Sequence, residues 1–455
     1  MIDVIFNMFK LLILLLNIVA LSFAERGDLI SFEYKDQKNS NQIQYELDSS
    51  DASQLNPNAI YNIKSYSIVY ETIDQFGQVT QASGSVVIPD DNNFAYPIYL
   101  FGHGTQIRRA SAPSMNGFNV LNMWVSTAGY IFVEPDYLGL GISEGLHPYH
   151  LKDVTAATMI DMLYASKKLC SQLSDVANNE QLFIAGYSEG GYAAMATVKE
   201  IEDNYSDIDI TMSFPMAGAY DLSGTMVDLM LSEEEYADPF YLPFFVLSYI
   251  EKYNLGTLDM FFKSEYAQGF PEWFNGEHSG GYINSFLPSI PIHMMLPEVV
   301  EEFEINPDFE FKLRLQDNDL TNWTPQNPMY LYHGISDERV PYNNSVVAFE
   351  SLGGDNNPNL YFETLGESYG GHQEAAPYCL IGAFIKSEEV KIINEKGDSN
   401  VDNILNVLDV IELIDFVLDG ANLDGLQLWL SDMNDDNQLN IFDIVLLVER
   451  IIQNG

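Results

Sequence analysis

The chain has 455 residues, of which 66 are acidic and 20 basic, a formal charge of −46, and 47% of it is hydrophobic. That length falls in the two-to-three-domain range, and the apolar fraction supports a sizeable core. The charge excludes nucleic acid, whose phosphates would be repelled, and an anionic membrane surface; it suits a heavily solvated exported protein.

Lys10 precedes the apolar run Leu11–Leu21, and Ser22-Phe23-Ala24 offers small residues where a signal peptidase cuts. The run is short of the roughly 20 residues that span a bilayer. Residues 1–24 are therefore expected to be a signal peptide, with Met8 as an alternative start. The mature protein is expected to be secreted, with no transmembrane segment.

Residues 25–390 form the next unit. Tyr66–Ile73 and Val79–Ile88 alternate with period two around Gln75–Gln78, which predicts a β-hairpin. Apolar strands are then predicted at Tyr96–Phe101, Tyr130–Glu134, Gln181–Ala185, Ile208–Phe214, Met329–Tyr332 and Leu360–Thr364. Helices are predicted at Asn119–Ala128, Val154–Leu169 and Gly191–Glu202. Such alternation means a mainly parallel sheet with helices on both faces. About residues 221–322 break the rhythm: no strand pattern, but dense aromatics at Phe240-Tyr241, Phe244-Phe245, Phe261-Phe262 and Trp273-Phe274. This segment is expected to be a helical cap over an apolar cleft. Cys170 and Cys379 leave a single disulfide and two buried thiols equally open.

The chemistry begins at Gly186-Tyr187-Ser188-Glu189-Gly190-Gly191, between a predicted strand and a predicted helix. Strand, G-x-S-x-G, helix is the form of a nucleophile elbow, which lifts a serine hydroxyl clear of the sheet. Such a serine needs a base and an acid that orients it. Asp337 lies just past the carboxyl end of a strand, where ligand-facing residues of open α/β sheets gather. His372 follows the last strand between flanking glycines and the start of a helix. Ser188, Asp337 and His372 thus fall in the order Ser, Asp, His. Glu338 is the rival acid, and His333 is expected to fix the acid loop. The oxyanion donors are expected to be the backbone N–H groups of Glu189 and of Thr105 in Phe101-Gly-His-Gly-Thr105, with Gly104 allowing close approach.

These stretches, with Pro135–Ser143, His147-Pro148-Tyr149, His333–Asp337, Val340-Pro341 and Gly371-His372, resemble the secretory-lipase branch of the α/β-hydrolase superfamily across residues 60 to 385. The resemblance implies an α/β-hydrolase fold with an inserted helical cap, an esterase or lipase activity on an ester with an apolar group, and the triad Ser188, Asp337, His372. It also implies that Asp136-Tyr137 and Gly139-x-Gly141 shape the pocket floor and do no chemistry.

Residues 391–455 are different in character. Asp398, Asn400, Asp402, Asn406 and Asp409 recur 34 residues later as Asp432, Asn434, Asp436, Asn440 and Asp443, each set running into an apolar helix. Oxygen side chains at loop positions 1, 3, 5, 9 and 12 suit a hard cation and match an EF-hand calcium loop. The pair resembles a type I dockerin, a small all-α module, which implies two Ca²⁺ ions and a cohesin-like or cell-surface partner. Val407-Leu408 and Ile441-Phe442 are more apolar than that family's usual contact residues. No cofactor is expected for catalysis. The alternatives are a carbohydrate esterase presented by this module, or a calcium-dependent surface-binding protein with an inert hydrolase fold.

Overall fold

The computed structural model describes residues 25–454 apart from 51–52, 54–56, 174–175, 420–422 and 424, so the expected signal peptide lies outside it. Among the described residues ten strands form one sheet: β1 (Leu29–Lys38), β2 (Ile63–Ile73), β3 (Val79–Pro89), β4 (Phe94–Gly102), β5 (Ile131–Pro135), β6 (Ala177–Tyr187), β7 (Met212–Met216), β8 (Met329–Gly334), β9 (Leu360–Leu365) and β10 (Asn394–Glu395). The spatial order is β1-β2-β3-β5-β4-β6-β7-β8-β9, with β10 beside the start of β4. The pairs from β5 through β4, β6, β7 and β8 to β9 are all parallel. The hairpin β2–β3 and the edge strand β1 are antiparallel.

The central parallel strands β4, β5, β7 and β8, and β6 from Leu182 on, are buried along nearly their whole length, as near-continuous apolar runs require when helices cover both faces; the edge strand β9 is half exposed. The helices Lys152–Gln172 and Glu189–Asn204 pack on one side. Val120–Thr127 and His372–Glu388 pack on the other. Each predicted strand and helix of this unit is present, mostly extended by a few residues; the strand expected at Ile208–Phe214 begins only at Met212 and ends at Met216, and the helix expected at Asn119–Ala128 spans Val120–Thr127. Between β7 and β8 the described chain is helical, with Tyr241–Tyr253 the longest element and only an isolated bridge between Phe262 and Met295.

Sequence reasoning missed β1 and the helix Ser40–Asp48. Eight of the ten β1 residues are exposed; Ile30, Phe32 and Tyr34 alternate with Ser31, Glu33 and Lys35, but the polar run Lys35–Lys38 cuts the pattern short. It exists by pairing with β2 from Leu29↔Tyr70 to Lys38↔Ile63. Both cysteines are buried and no disulfide joins them. No helix among the described residues is long and apolar enough to cross a membrane.

After the helix His372–Glu388 the chain returns to the amino-terminal end of β4. There β10 pairs Asn394↔Ala95, Lys396 N–H donates to Asn93 O at 2.7 Å, and Arg450 Nη2 meets Glu395 Oε1 at 2.9 Å. The helices Val407–Asp419, Gly425–Ser431 and Ile441–Asn454 follow. Lys396 lies 5.1 Å from the Trp429 ring and pairs with Asp435. This attachment is at the opposite end of the sheet from the carboxyl ends of β4, β6, β8 and β9.

Candidate active site

Ser188 follows β6 and caps the next helix with φ 63° and ψ −123°, a conformation that L-residues adopt only when the surroundings impose it. The crowding behind it explains the glycines. A Cβ on Gly186 would lie 2.1 Å from Gly190 O, and one on Gly190 would lie 1.9 Å from Gly102 O. The helix Glu189–Asn204 begins at the next residue, so the Glu189 N–H is a first-turn donor with no intrahelical carbonyl to reach.

The loops after β8 and β9 bring the acid and the imidazole together. His372 Nδ1 lies 2.6 Å from Asp337 Oδ2, and both side chains are nearly or fully buried. His333 Nε2 approaches the same oxygen at 3.1 Å. The other oxygen, Oδ1, accepts the backbone N–H groups of Arg339 at 2.9 Å and Val340 at 2.8 Å. Burial pushes the Asp337 carboxyl up, but the hydrogen bonds from His333 and His372 outweigh it and hold the group well below the usual carboxylate range. Glu338 does not compete for the imidazole. Its Oε2 accepts the His372 backbone N–H at 2.9 Å, while its Oε1 lies 3.0 Å from Arg339 Nη1. Tyr187 donates its hydroxyl to His372 O at 2.5 Å and lies with ring centroids 4.9 Å apart from that imidazole.

The loop after β4 runs beside Ser188: a Cβ on Gly104 would lie 3.9 Å from Ser188 Cβ and 3.7 Å from Tyr187 O. Those are ordinary contacts, so no neighbouring protein atom crowds position 104. His103 anchors the loop, with Nε2 3.2 Å from Asp136 O and Nδ1 2.8 Å from Gly104 O. Tyr137 adds a bond from its hydroxyl to His103 O at 3.3 Å. The Asp136 carboxylate is wholly buried and accepts Ser83 Oγ at 2.5 Å, Ser114 N–H at 2.8 Å and Ser114 Oγ at 2.5 Å. A Cβ on Gly141 would strike that carboxylate at 2.1 Å.

Sequence reasoning missed what surrounds Glu189. Its side chain is 3% exposed, and Oε1 lies 2.5 Å from His147 Nε2. Burial pushes the carboxyl up, but the charge and hydrogen bond of His147 outweigh it and bring it below its ordinary value. His150 adopts φ 51° and is held by Tyr249 and Tyr192 hydroxyls on its carbonyl, at 3.0 and 3.2 Å. Burial drives its imidazole down to about 4, leaving it neutral. Glu189 Oε2 and His150 Nδ1 are buried without a hydrogen-bond partner.

A cavity of about 40 Å³ is lined by Ser188, Glu189, His150 and Tyr149, with Tyr236, Tyr241 and Phe245 from the helical segment among its other walls. A larger cleft of about 400 Å³ lies elsewhere, between Cys170, Leu173, Val176 and Asn178 on one side and Leu426, Trp429 and Asp432 on the other, and contains none of these groups. Chemistry, not size, identifies the first as the candidate site.

In the C-terminal loops, Asp398, Asp409, Asp432 and Asp443 are at most 5% exposed and, among the described residues, form no ion pair. Asp398 accepts N–H groups of Asp402 at 3.0 Å and Asn403 at 2.9 Å; Asp432 accepts those of Asp436 at 3.2 Å and Asn437 at 2.7 Å. Asp409 and Asp443 accept Asn406 N–H at 2.8 Å and Asn440 N–H at 2.9 Å. Asn403 and Asn437 are left-handed at φ 63° and 59°. Asn400 Nδ2 donates to Asp402 and Asn434 Nδ2 to Asp436, both at 3.1 Å. No three acidic, imidazole or thiol groups among the described residues are gathered closely enough to hold a metal ion as they stand. The donor set nevertheless fits a hard cation: all oxygen, with two buried carboxylates per loop and no positive partner.

No protein-family model and no curated protein matches the chain. Solved structures do. A protein described as a hydrolase from Legionella pneumophila is 26% identical with a TM-score of 0.73, covering 79% of this chain and 97% of its own. The rice cell wall degrading esterase LipA from Xanthomonas oryzae is 25% identical with a TM-score of 0.70, covering 80% and 98%. Candida antarctica lipase A, 15% identical with a TM-score of 0.57 over 80% and 82% of the two chains, shares the fold. The mixed, mostly parallel sheet and these neighbours establish that this chain has the α/β-hydrolase fold found in esterases and lipases.

Proposed function

We propose that the protein is a secreted serine carboxylic-ester hydrolase. The observation that carries the reading is the 2.6 Å bond between His372 Nδ1 and Asp337 Oδ2, at the same end of the sheet as the strained Ser188. Ser188 Oγ attacks the ester carbonyl, and His372 Nε2 takes the hydroxyl proton. Asp337 keeps the imidazole in the Nδ1–H tautomer and stabilises the imidazolium. The N–H groups of Glu189 and Thr105 receive the oxyanion. His372 returns the proton to the leaving alcohol, and water then releases the acid from the acyl-enzyme. The aromatic wall of Tyr149, Tyr236, Tyr241 and Phe245 favours an apolar group on the substrate.

The C-terminal region acts as a dockerin-like module that binds two Ca²⁺ ions and engages a cohesin-like or cell-surface partner. Asp398, Asn400, Asp402, Asn406 and Asp409 would hold one ion, and Asp432, Asn434, Asp436, Asn440 and Asp443 the other. The cation would neutralise the buried carboxylates; it supplies no chemistry at Ser188. Carbohydrate esters belong within the substrate class because LipA, at 25% identity, is a cell wall degrading esterase.

The test is hydrolysis of p-nitrophenyl esters from acetate to palmitate by the protein and by Ser188→Ala. Activity lost in the variant supports the reading, and the chain-length optimum separates lipase from short-chain or carbohydrate esterase. A folded protein inactive on every ester would overturn it in favour of an inert hydrolase fold.

A further inference from the structure

The loop between β5 and the helix Lys152–Gln172 touches both segments that would supply oxyanion donors. At one point His147 meets Glu189, the residue whose N–H follows the nucleophile. His147 Nε2 lies 2.5 Å from Glu189 Oε1, and Nδ1 lies 2.8 Å from Leu138 O. Both ring nitrogens face oxygen acceptors, so with Glu189 ionised each carries a proton and the pair is a buried imidazolium–carboxylate bridge. Two residues on, Tyr149 Oη lies 3.0 Å from Thr105 Oγ1. Pro148 sits between them with its φ fixed by the ring, and the Tyr149 N–H closes onto His147 O at 2.8 Å, a three-residue γ-turn. His147 and Tyr149 are thus held in fixed relation to each other.

The two donors need such a link. The β4–β6 pairing ends at Gly102↔Gly186, three residues before Thr105 and before Glu189, so the sheet itself does not fix their separation. The loop is anchored in turn. Gly139 has φ 77°, and a Cβ there would lie 2.5 Å from His147 N. The His147 ring stacks on Tyr137 with centroids 5.6 Å apart, and Tyr149 stacks on Phe244 at 4.6 Å. Burying a carboxylate against an apolar cleft is costly unless the charge is matched. Its second oxygen, unpartnered in the interior, marks a group kept for the bridge to His147.

We propose that His147-Pro148-Tyr149 is a clamp that sets the spacing of the two oxyanion donors, with His147, Tyr149 and the Glu189 side chain as positioning residues. The clamp rests on the serine-esterase reading above. It predicts that the His147–Glu189 bridge and the Tyr149 hydroxyl act on the transition state and not on ground-state binding, and that they act as one unit, the Tyr149 ring keeping its place in the cavity wall.

The experiment compares His147→Gln, Tyr149→Phe and the double variant with the full chain. The readouts are kcat and KM on one p-nitrophenyl ester, and affinity for a trifluoromethyl ketone, whose hemiketal oxygen occupies the oxyanion position. Each single variant is expected to lower kcat about ten- to a hundredfold, below the 10²–10³ for deleting a donor outright. KM should stay within about twofold while ketone affinity falls in step with kcat/KM. The double variant should lose less than the product of the single losses. Tyr149→Phe removes one hydroxyl and keeps the ring stacking, so it serves if the buried His147 variant fails to fold. Unchanged kcat and ketone affinity, or melting temperature falling with kcat intact, would overturn the clamp. A wild-type chain without esterase activity would instead remove the serine reading, and the clamp with it.

Discussion

His372 Nδ1 stands 2.6 Å from Asp337 Oδ2, and His333 Nε2 reaches that same oxygen at 3.1 Å. His333 Nε2 also lies 2.9 Å from Val340 O, and Nδ1 lies 2.7 Å from Ser345 Oγ. Nε2 faces two acceptors and so donates, leaving Nδ1 to accept from the serine hydroxyl. His333 thus holds the carboxylate from behind. Asp337→Asn should cost about 10⁴-fold in kcat by favouring the wrong tautomer of His372. His333→Gln should cost only about ten- to a hundredfold, the worth of one hydrogen bond to a charged group. Steady-state kinetics check both; equal losses would contradict the division of roles.

The cavity beside Ser188 holds about 40 Å³, and the helical segment supplies Tyr236, Tyr241 and Phe245 to its wall. Arg339 Nε to Asp238 Oδ2 at 2.7 Å and Tyr236 Oη to Arg339 O at 2.8 Å tie that segment to the acid loop. Asp238→Asn should ease opening and raise the ratio of palmitate to acetate ester hydrolysis. The pair is partly exposed, with side chains 15% and 22% accessible, so a severalfold change is expected. An unchanged ratio would mean the tether does not gate access.

Glu134 faces Ser85 across the β3–β5 pairing and is buried, with Oε2 unpartnered. Burial, with the nearby Asp136, raises its carboxyl to about 8. Folded protein then holds a proton that unfolded protein has lost, so stability falls as pH rises from the ordinary carboxylate range through about 8. Glu134→Gln should melt higher than the parent at pH 9 and near it at pH 4. A gap that does not widen with pH would contradict this environment.

Calcium removal should be visible in Trp429. Lys396 covers that ring at 5.1 Å and pairs with Asp435 of the second loop. Chelation by EGTA should loosen the loop, shift Trp429 emission to the red and be reversed by Ca²⁺. Trp429→Phe supplies the control for the other three tryptophans. Emission and proteolysis of residues 396–454 that ignore calcium would count against the two ion sites.

The central strands were legible because strands buried on both faces read as unbroken apolar runs, and the elbow because its glycines have no alternative. Asp337 and His372 were legible from their places after strands. The His147–Glu189 bridge was not: the residues are 42 apart in sequence, and a lone loop histidine carries no local sign of a partner. Glu189 was read only for its backbone, since G-x-S-x-G leaves its middle positions open. The strand β1 escaped because its alternation at Ile30, Phe32 and Tyr34 is short and runs straight into the polar stretch Lys35–Lys38.

The most direct test is pre-steady-state hydrolysis of p-nitrophenyl acetate, with the labelled residue mapped by mass spectrometry. A burst of one nitrophenolate per chain, an acetyl group on Ser188, and loss of both in Ser188→Ala are predicted. Ester hydrolysis that survives Ser188→Ala, or an acyl group mapped to another residue, would contradict the account.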